Sequence, residues 1–321
     1  MKKLVMLISI CFISFLIVNN SLTTTYVANL KTESIAVTGQ TKPLLDEIKE
    51  KAEQYNIAPA DAKIDRVWKA LPGLNGVKVN IEESYKKMKK DNVFDEDKLV
   101  YDQIPPKTHL SDLPPSPVYK GHPDKPMVSF IINVAWGNEY LPDMLATLKK
   151  HHVSASFFLE GRWAQNNPDL AKMIAAAGHE IGNHSYTHPD MKNVSAAKAR
   201  EEIKKTNDVI EAISEKNTKV RWFAPPSGSY RDEIVSIAAK EGLGTVMWTV
   251  DTIDWQKPAP EVLIKRVMDK VHNGAMILMH PTKSTADSLD RLIKGLNSKN
   301  LEIGTVSQLL DERRIFAEEQ K

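Results

Sequence analysis

Cysteine is nearly absent from this 321-residue chain, whose only thiol is that of Cys11. Because one thiol cannot form an intrachain disulfide, the fold has to be stabilised by its apolar core. The sequence also lacks a dominant charge, since the formal net charge is +2, and it contains no basic block with interleaved aromatic residues. These absences argue against nucleic acid as a partner.

Long apolar runs are also absent, except for the stretch from Leu4 to Val18 that follows two lysines. This order is typical of a secretory signal and predicts export to the extracytoplasmic face of the membrane or to the cell wall. Residues 1–20 are expected to be a cleaved signal peptide or an uncleaved signal anchor that attaches the protein to the membrane. A buried N-terminal core helix is the remaining alternative.

Composition divides the rest of the chain. Residues 21–43 are polar and threonine-rich and are expected to be a linker, and the proline-rich residues 102–126 are expected to be an extended connection. A small α/β module is predicted over residues 44–101. The main domain is predicted over 127–312, followed by a tail at 313–321.

Periodicity within the small module predicts its elements. Apolar residues at helical spacing predict one helix around residues 45–52 and another around 64–71. Alternation predicts a strand over 77–81, and a further helix is expected over 82–90. Nothing in this module has the pattern of a catalytic site.

From Met127 onward, strand-like runs alternate with amphipathic helices. The predicted strands are 128–134, 153–159, 179–183, 220–223, 245–250, 275–279 and 302–305. Seven β-α units favour a parallel sheet in an α/β fold, most simply a distorted (β/α)7-type barrel. Active-site residues of such folds lie at the carboxyl ends of the strands. His184, Asp251 and His280 each follow a predicted strand, so they are expected to share one site.

His184 and His188 lie four residues apart in the stretch from Gly182 to His188, directly after a predicted strand. Histidines at this spacing on a turn can reach one cation from the same side. A metal site built for chemistry also needs a third ligand and a base. The stretch from Asn133 to Gly137, where both are sought, contains no ionisable group. The sequence therefore predicts an incomplete metal site.

Four further motifs accompany the histidine pair: Ser156-Phe157-Phe158-Leu159-Glu160-Gly161, Phe223-Ala224-Pro225-Pro226-Ser227-Gly228, Asp251-Thr252-Ile253-Asp254-Trp255 and Leu278-Met279-His280-Pro281. In their order and spacing, residues 125–312 resemble the NodB-homology polysaccharide deacetylases of carbohydrate esterase family 4. The resemblance implies a hydrolase that acts on C–N bonds other than peptide bonds. It further implies zinc or another divalent metal, and an N-acetylated polysaccharide or peptidoglycan as the partner.

The resemblance also implies roles for individual residues. His184 and His188 resemble the two metal-binding histidines. His280 resembles the general acid, with Asp251 or Asp254 as its partner. Four positions correspond to the substrate-binding surface of the family, and they are Trp255, Leu278, Pro226 and the backbone N–H of Ser227.

Three positions depart from the family pattern. Ala135 stands where the family has its catalytic base, Trp136 where it has the metal-binding carboxylate, and Ala224 where it has the arginine that orients the base. Loss of a general base lowers the rate by about 10²–10⁴, and loss of one of three ligands is expected to weaken metal binding. Glu139 is a candidate substitute ligand.

Three hypotheses follow. The first is a catalytically impaired protein of the cell envelope that binds glycan or a partner. The second is an active metal-dependent deacetylase with an atypical third ligand. The third is a purely structural protein whose groove is closed by Trp136.

Overall fold

The computed structural model describes residues 43–213 and 219–315, together with Asn20, Ser21 and Thr25. The predicted signal segment therefore lies outside the described residues, except for Asn20. Among the helices of this described part, none is both long and apolar enough to cross a membrane.

The chain divides into two compact units. The described part of the smaller unit is residues 43–56 and 78–102 with Asn20, Ser21 and Thr25, and that of the larger unit is residues 57–77 and 103–315 without the gap at 214–218. The domain boundaries inferred from composition stay predictions.

A short hairpin lies in the larger unit where a helix over 64–71 was predicted. Strands β1 (Lys63–Asp65) and β2 (Lys69–Leu71) pair in an antiparallel manner. The prediction is wrong because Asp65 Oδ1 accepts hydrogen bonds from the backbone N–H groups of Val67 and Trp68, both at 2.7 Å. These bonds stabilise a turn that competes with helix formation.

The smaller unit contains helices α1 (Leu44–Ala52) and α2 (Ile81–Met88). Leu44, Ile48 and Ala52 are buried on one face of α1, as their spacing predicts. Strands β3 (Gly76–Val79) and β4 (Tyr101–Ile104) pair with each other, and each has residues in both units. Strand β3 ends before Asn80 because the Asn80 side chain accepts a hydrogen bond from the N–H of Glu83 and caps α2.

Eight strands form the main sheet of the larger unit, and every registered pair within it is parallel. They are β5 (Met127–Val134), β6 (Ser156–Leu159), β7 (Glu180–Asn183), β8 (Trp222–Phe223), β9 (Gly244–Thr245), β10 (Val250–Asp251), β11 (Met276–Met279) and β12 (Glu302–Gly304). Their order is β10-β11-β5-β6-β7-β8-β9, and β12 pairs with the first half of β5.

Helices connect these strands, and their starts agree with the sequence signals. The described helices are α3 (Leu141–Lys150), α4 (Gly161–Asn166), α5 (Pro168–Ala176), α6 (Ala196–Ile213), α7 (Asp232–Lys240), α8 (Pro260–Lys270), α9 (Lys283–Ser298) and α10 (Val306–Leu310). Pro168 and Pro260 stand in the first turns of α5 and α8, where the lack of an N–H costs no hydrogen bond. Ser195 caps α6 through its Oγ, as predicted.

The two faces of the sheet bury different clusters. Phe130 and Ile132 of β5 pack in a large cluster that includes residues of the surrounding helices. Met127 and Ile131, on the opposite face, pack with Phe158 and Leu278 from neighbouring strands. A sheet apolar on both faces is typical of a curved parallel sheet enclosed by helices. The predicted α/β class and (β/α)7-type barrel are confirmed.

One predicted strand is divided. The run 245–250 forms the two short strands β9 and β10 instead of one. The reason lies in its partners: the N–H of Val246 donates to Phe223, that of Met247 to Val118 and that of Thr249 to Met276. A segment that hydrogen-bonds to three different parts of the chain in four residues cannot continue one regular ladder.

The barrel interior provides a first test. Replacing the fully buried Phe158 by alanine should lower the free energy of unfolding by about 3–5 kcal/mol, because the lost ring leaves a cavity among packed side chains. Urea denaturation followed by circular dichroism measures the change. Met173→Ala on the exposed face of α5 is the control, with an expected change within about 0.5 kcal/mol. Equal effects of the two substitutions would contradict this packing.

Candidate active site

A cavity of about 460 Å³ opens at the carboxyl ends of the strands. It brings together most of the predicted site residues: His184, His188, Ser227, Asp251, Trp255, Leu278 and His280, with Ala135 and Trp136. Ala224, Pro226 and Asp254 are buried and are not among the residues that line it. Glu139 is exposed and lines a different cavity.

His184 is buried directly after β7, with its orientation fixed by a backbone group. Its Nδ1 lies 2.7 Å from the carbonyl oxygen of Ala224. Since a carbonyl only accepts, Nδ1–H is the donor and Nε2 carries the lone pair. Burial, reinforced by the neighbouring His188, lowers the pKa of His184 to about 3. The imidazole is therefore neutral near pH 7.

A tight turn places His188 beside His184. Ser185 and His188 both have left-handed backbone conformations, with φ of 61° and 56°, which are unfavourable for residues with a side chain. Asn183 stabilises the turn because its Oδ1 accepts a hydrogen bond from the N–H of Ser185 at 2.8 Å. The two imidazole centroids lie 5.0 Å apart as a result.

Glu202 of α6 stabilises the same turn through hydrogen bonds. Its buried carboxylate accepts hydrogen bonds from the backbone N–H groups of Tyr186 and Thr187, at 2.9 and 2.6 Å, and from the Thr187 hydroxyl at 2.8 Å. The Lys198 ammonium lies 3.1 Å away. Burial raises the pKa of Glu202, but the bonds from Thr187 and Lys198 outweigh burial and leave the pKa below its ordinary value.

His280 follows β11 and is held by Asp254. The Nδ1 of His280 lies 2.8 Å from Asp254 Oδ1, and its backbone N–H donates to Asp254 Oδ2 at 2.6 Å. The Thr285 hydroxyl donates to the same Oδ2 at 2.6 Å. Asp251 instead accepts from the N–H of Ile253 at 2.8 Å. The hydrogen bond to the imidazole of His280 is therefore made by Asp254 and not by Asp251.

Trp136 lies against His280 and does not close the cavity. The indole and the imidazole are almost parallel, with an interplanar angle of 10° and centroids 5.8 Å apart. The indole remains 46% exposed. The next residue, Gly137, has a φ of 83°, and a Cβ at that position would overlap the carbonyl oxygen of Pro281. The loop that carries Trp136 thus requires glycine at position 137.

The donor set does not fit the metal that the family resemblance implies. Catalytic zinc sites use three protein ligands and keep one position open. Within residues 43–213 and 219–315, no group of three or more His, Cys, Asp or Glu side chains is placed to hold a metal ion. Glu139, the candidate substitute, does not line the cavity of His184 and His188.

Sequence reasoning missed three residues of this site. Trp248 and Asn133 line the cavity, and Asn133 Oδ1 is buried without a hydrogen-bond partner among the described residues. Glu202 was the third, although a signal existed, because it lies on the apolar face of α6 with Ala199 and Ile203. A carboxylate on a buried helix face needs partners, and that need could have identified it.

Comparison with known proteins identifies the family to which this barrel and its site belong. A family model described as polysaccharide deacetylase matches residues 120–246. The crystal structure of wild-type BA3943, a CE4 family pseudoenzyme from Bacillus anthracis, is 55% identical with a TM-score of 0.83, and the match covers 86% of this chain and 97% of that one. The chain belongs to carbohydrate esterase family 4.

Three further proteins are similar to this chain. The YlxY protein of Bacillus subtilis (strain 168) is 55% identical over 305 residues, which is 95% of each chain. A peptidoglycan-N-acetylglucosamine deacetylase of Bacillus cereus is 31% identical over 176 residues, covering 53% of this chain and 63% of the relative. A BA3943 mutant at 54% identity is described as having restored enzymatic activity, with a TM-score of 0.83 and coverage of 85% of this chain and 100% of that one. The present chain is a deacetylase-like member with an impaired catalytic site.

The Glu202 contact generates a prediction on pH. Glu202→Gln should lower the free energy of unfolding by about 1.5–3 kcal/mol at pH 7, because hydrogen bonds to a charged group are lost. Since the folded pKa lies below the unfolded value of about 4.3, this contribution is present above that value and disappears as the pH falls through the folded pKa. Urea denaturation of both proteins at pH 7 and at successively lower pH should show the difference shrink under acidic conditions.

The neighbouring exposed Glu201 supplies the control for this experiment, since it forms a surface ion pair with Lys198 at 3.3 Å. Glu201→Gln should change the free energy of unfolding by less than about 0.5 kcal/mol. A loss that is equal in both variants, or that does not vary with pH, would be inconsistent with a buried anionic contact.

Proposed function

We propose that this protein is a cell-envelope glycan receptor that binds N-acetylated polysaccharide or peptidoglycan in the cavity of the barrel without hydrolysing it. The observation that carries the proposal is the combination of an open cavity of about 460 Å³ with the replacement of ionisable groups by Ala135, Trp136 and Ala224. Binding and catalysis need different groups, and the site retains those suited to binding.

The cavity has the character of a small-ligand site. Its apolar walls come from Trp248, Trp255 and Leu278, and its polar groups are few. Apolar walls with a small number of placed polar groups are typical of ligand pockets. The acetyl group of an N-acetylated sugar would pack against the apolar walls, and Asn133 and the neutral His184 would face its amide.

Hydrolysis by the usual route of the family needs a carboxylate base and a complete set of metal ligands. No carboxylate stands at 135 to accept a proton, and the two remaining histidines are one ligand short of a catalytic metal site. The restored activity described for the BA3943 mutant supports the view that in such proteins the loss lies in a few side chains of an intact barrel.

The other two hypotheses have weaker support. For an active site with an atypical third ligand, the candidate Glu139 lines another cavity, and the described residues contain no group of three or more His, Cys, Asp or Glu side chains placed to hold a metal ion. A purely structural protein would have its groove filled by Trp136, whereas this indole is stacked on His280 and half-exposed beside an open cavity.

The proposal includes export to the cell wall or to the outer face of the membrane. Its support is the N-terminal apolar run after two lysines and the likeness to peptidoglycan deacetylases. Attachment to the membrane would follow from an uncleaved signal.

Sedimentation with insoluble peptidoglycan tests the proposal. The purified protein should co-sediment with the glycan and release no acetate above the protein-free blank, because it binds without turnover. Trp255→Ala should reduce the bound fraction several-fold by removing an apolar wall.

Trp68→Ala is the matched control, because Trp68 is a half-exposed tryptophan that does not line the cavity. Its bound fraction should equal that of the unmodified protein. Failure of the unmodified protein to sediment with glycan would overturn the proposal, and sustained acetate release would support the active alternative instead.

A further inference from the structure

The hairpin of β1 and β2 displays apolar side chains to solvent. Val67 and Trp68 stand in its turn and form the hairpin tip. Val67 is 67% exposed, a higher fraction than any other large apolar side chain that the structure describes, and Trp68 is 38% exposed. Ile64 of β1 is 46% exposed and extends this apolar surface along the hairpin. Neighbouring apolar side chains that face water and have polar residues around them are typical of interaction sites.

The hairpin tip is carried on a fixed base. The carboxylate of Asp65 accepts the backbone N–H groups of Val67 and Trp68 and closes the turn. Ala70 of β2 is buried in the apolar cluster on one face of the main sheet, and its N–H donates to the carbonyl oxygen of Pro117 at 3.1 Å. Because the turn is already ordered, little conformational freedom is lost when its tip binds a partner.

Basic side chains surround the tip. They form a basic rim of four residues, Lys63, Arg66, Lys69 and Lys120. The Lys120 ammonium lies 5.4 Å from the centroid of the Trp68 ring. None of the four forms an ion pair with another described residue. The acidic residues within 61–71 are Asp61 and Asp65, and the carboxylate of each accepts two backbone N–H groups. The rim therefore carries positive charge that lacks a partner in this part of the structure.

Asp65 shows that the basic side chains gather at one end of the hairpin. The backbone N–H groups of Trp68 and Val67 lower the pKa of Asp65, and the charges of Lys63 and Lys120 lower it further, so both lysines lie near this carboxylate. Asp65 is paired across the hairpin with Lys69, which places that lysine on the same face.

The surface of a membrane that contains anionic lipid matches both features. Tryptophan is enriched at membrane–water interfaces, and apolar side chains such as Val67 gain from entering the boundary of the acyl chains. Lysine and arginine bind the anionic head groups. A soluble polyanion would pair with the basic rim but would leave Val67 in water. A neutral apolar partner would bury cations that have no counter-charge.

We propose that the β1–β2 hairpin is a membrane-docking element, whose tip enters the interface of a bilayer with anionic lipid while the basic rim binds the head groups. This inference goes beyond the proposed function, because no residue of the tip or the rim lines the cavity at the carboxyl ends of the strands. It is also separate from attachment through the N-terminal apolar run.

Fluorescence of a label at position 67 tests the proposal on the full chain. Cys11→Ser removes the only thiol, so that Val67→Cys in this background takes a single nitrobenzoxadiazole label. Vesicles of equal parts phosphatidylglycerol and phosphatidylcholine should raise its emission at least about twofold, because the label leaves water. Vesicles of phosphatidylcholine alone should raise it much less. Since the label reports on position 67, insertion of the N-terminal run does not by itself produce this signal.

Val262→Cys in the same background is the matched label control, because Val262 is an exposed valine of α8 outside the hairpin. Its emission should stay unchanged with both kinds of vesicle.

Charge reversal tests the basic rim. Lys63→Glu combined with Arg66→Glu should reduce the emission gain at position 67 to less than about a third, because the rim then repels anionic head groups. Lys172→Glu combined with Lys299→Glu makes the same change of net charge at two exposed lysines outside the hairpin and should keep the full gain. Thermal melting of each variant verifies that it is folded.

Three results would overturn the proposal. The first is an unchanged emission at position 67 with anionic vesicles, and the second is an equal gain with neutral and anionic vesicles. The third is an equal gain with soluble polyphosphate, which would identify a polyanion instead of a bilayer as the partner. Each of them leaves the glycan receptor in place, because sedimentation with peptidoglycan tests that claim separately.

Discussion

A charge that is removed from water needs a partner, and this constraint governs the whole site. Breaking a buried ion pair by deleting one member costs about 3–5 kcal/mol. The two positions that the family resemblance assigns to the base and its orienting arginine hold Ala135 and Ala224 in this chain, so neither position carries a charge that needs a partner. The fully buried carboxylate of Asp254 accepts three hydrogen bonds from His280 and Thr285.

Because no charge is left unpaired at these positions, the barrel does not lose stability there. The Nδ1 of His184 lies 2.7 Å from the backbone carbonyl oxygen of Ala224, which fixes the orientation of the imidazole. Trp136 finds an aromatic partner in His280. Ala224 thus packs in the apolar cluster on one face of the sheet, and Trp136 stacks on His280.

Much of the fold and part of the site follow from local sequence signals. The parallel barrel was predictable because its strands are apolar runs separated by helices with clear starts at Pro168, Ser195 and Pro260. The histidine turn and His280 were predictable because carboxyl ends of parallel strands converge. The segment 64–71 was predicted wrongly, since helical spacing alone does not reveal that Asp65 hydrogen-bonds the turn at Val67 and Trp68.

Other features depend on contacts that are distant in sequence. The division of 245–250 into two strands depends on partners at Val118, Phe223 and Met276. The hydrogen bond from the N–H of Thr187 to Glu202 joins two residues that are 15 positions apart. A cavity of about 830 Å³ is lined by both Trp136 and Trp255, whose loops are distant in sequence, and no periodicity in either loop indicates it.

Zinc stoichiometry of the purified full chain tests the central claim most directly. Elemental analysis with calorimetric zinc titration should find no stoichiometric, tightly held metal in the unmodified protein, because His184 and His188 lack a third ligand. Ala135→Asp combined with Trp136→Asp should gain zinc affinity in the same assay. Stoichiometric, tightly bound zinc in the unmodified, folded protein would contradict the account and restore the case for catalysis.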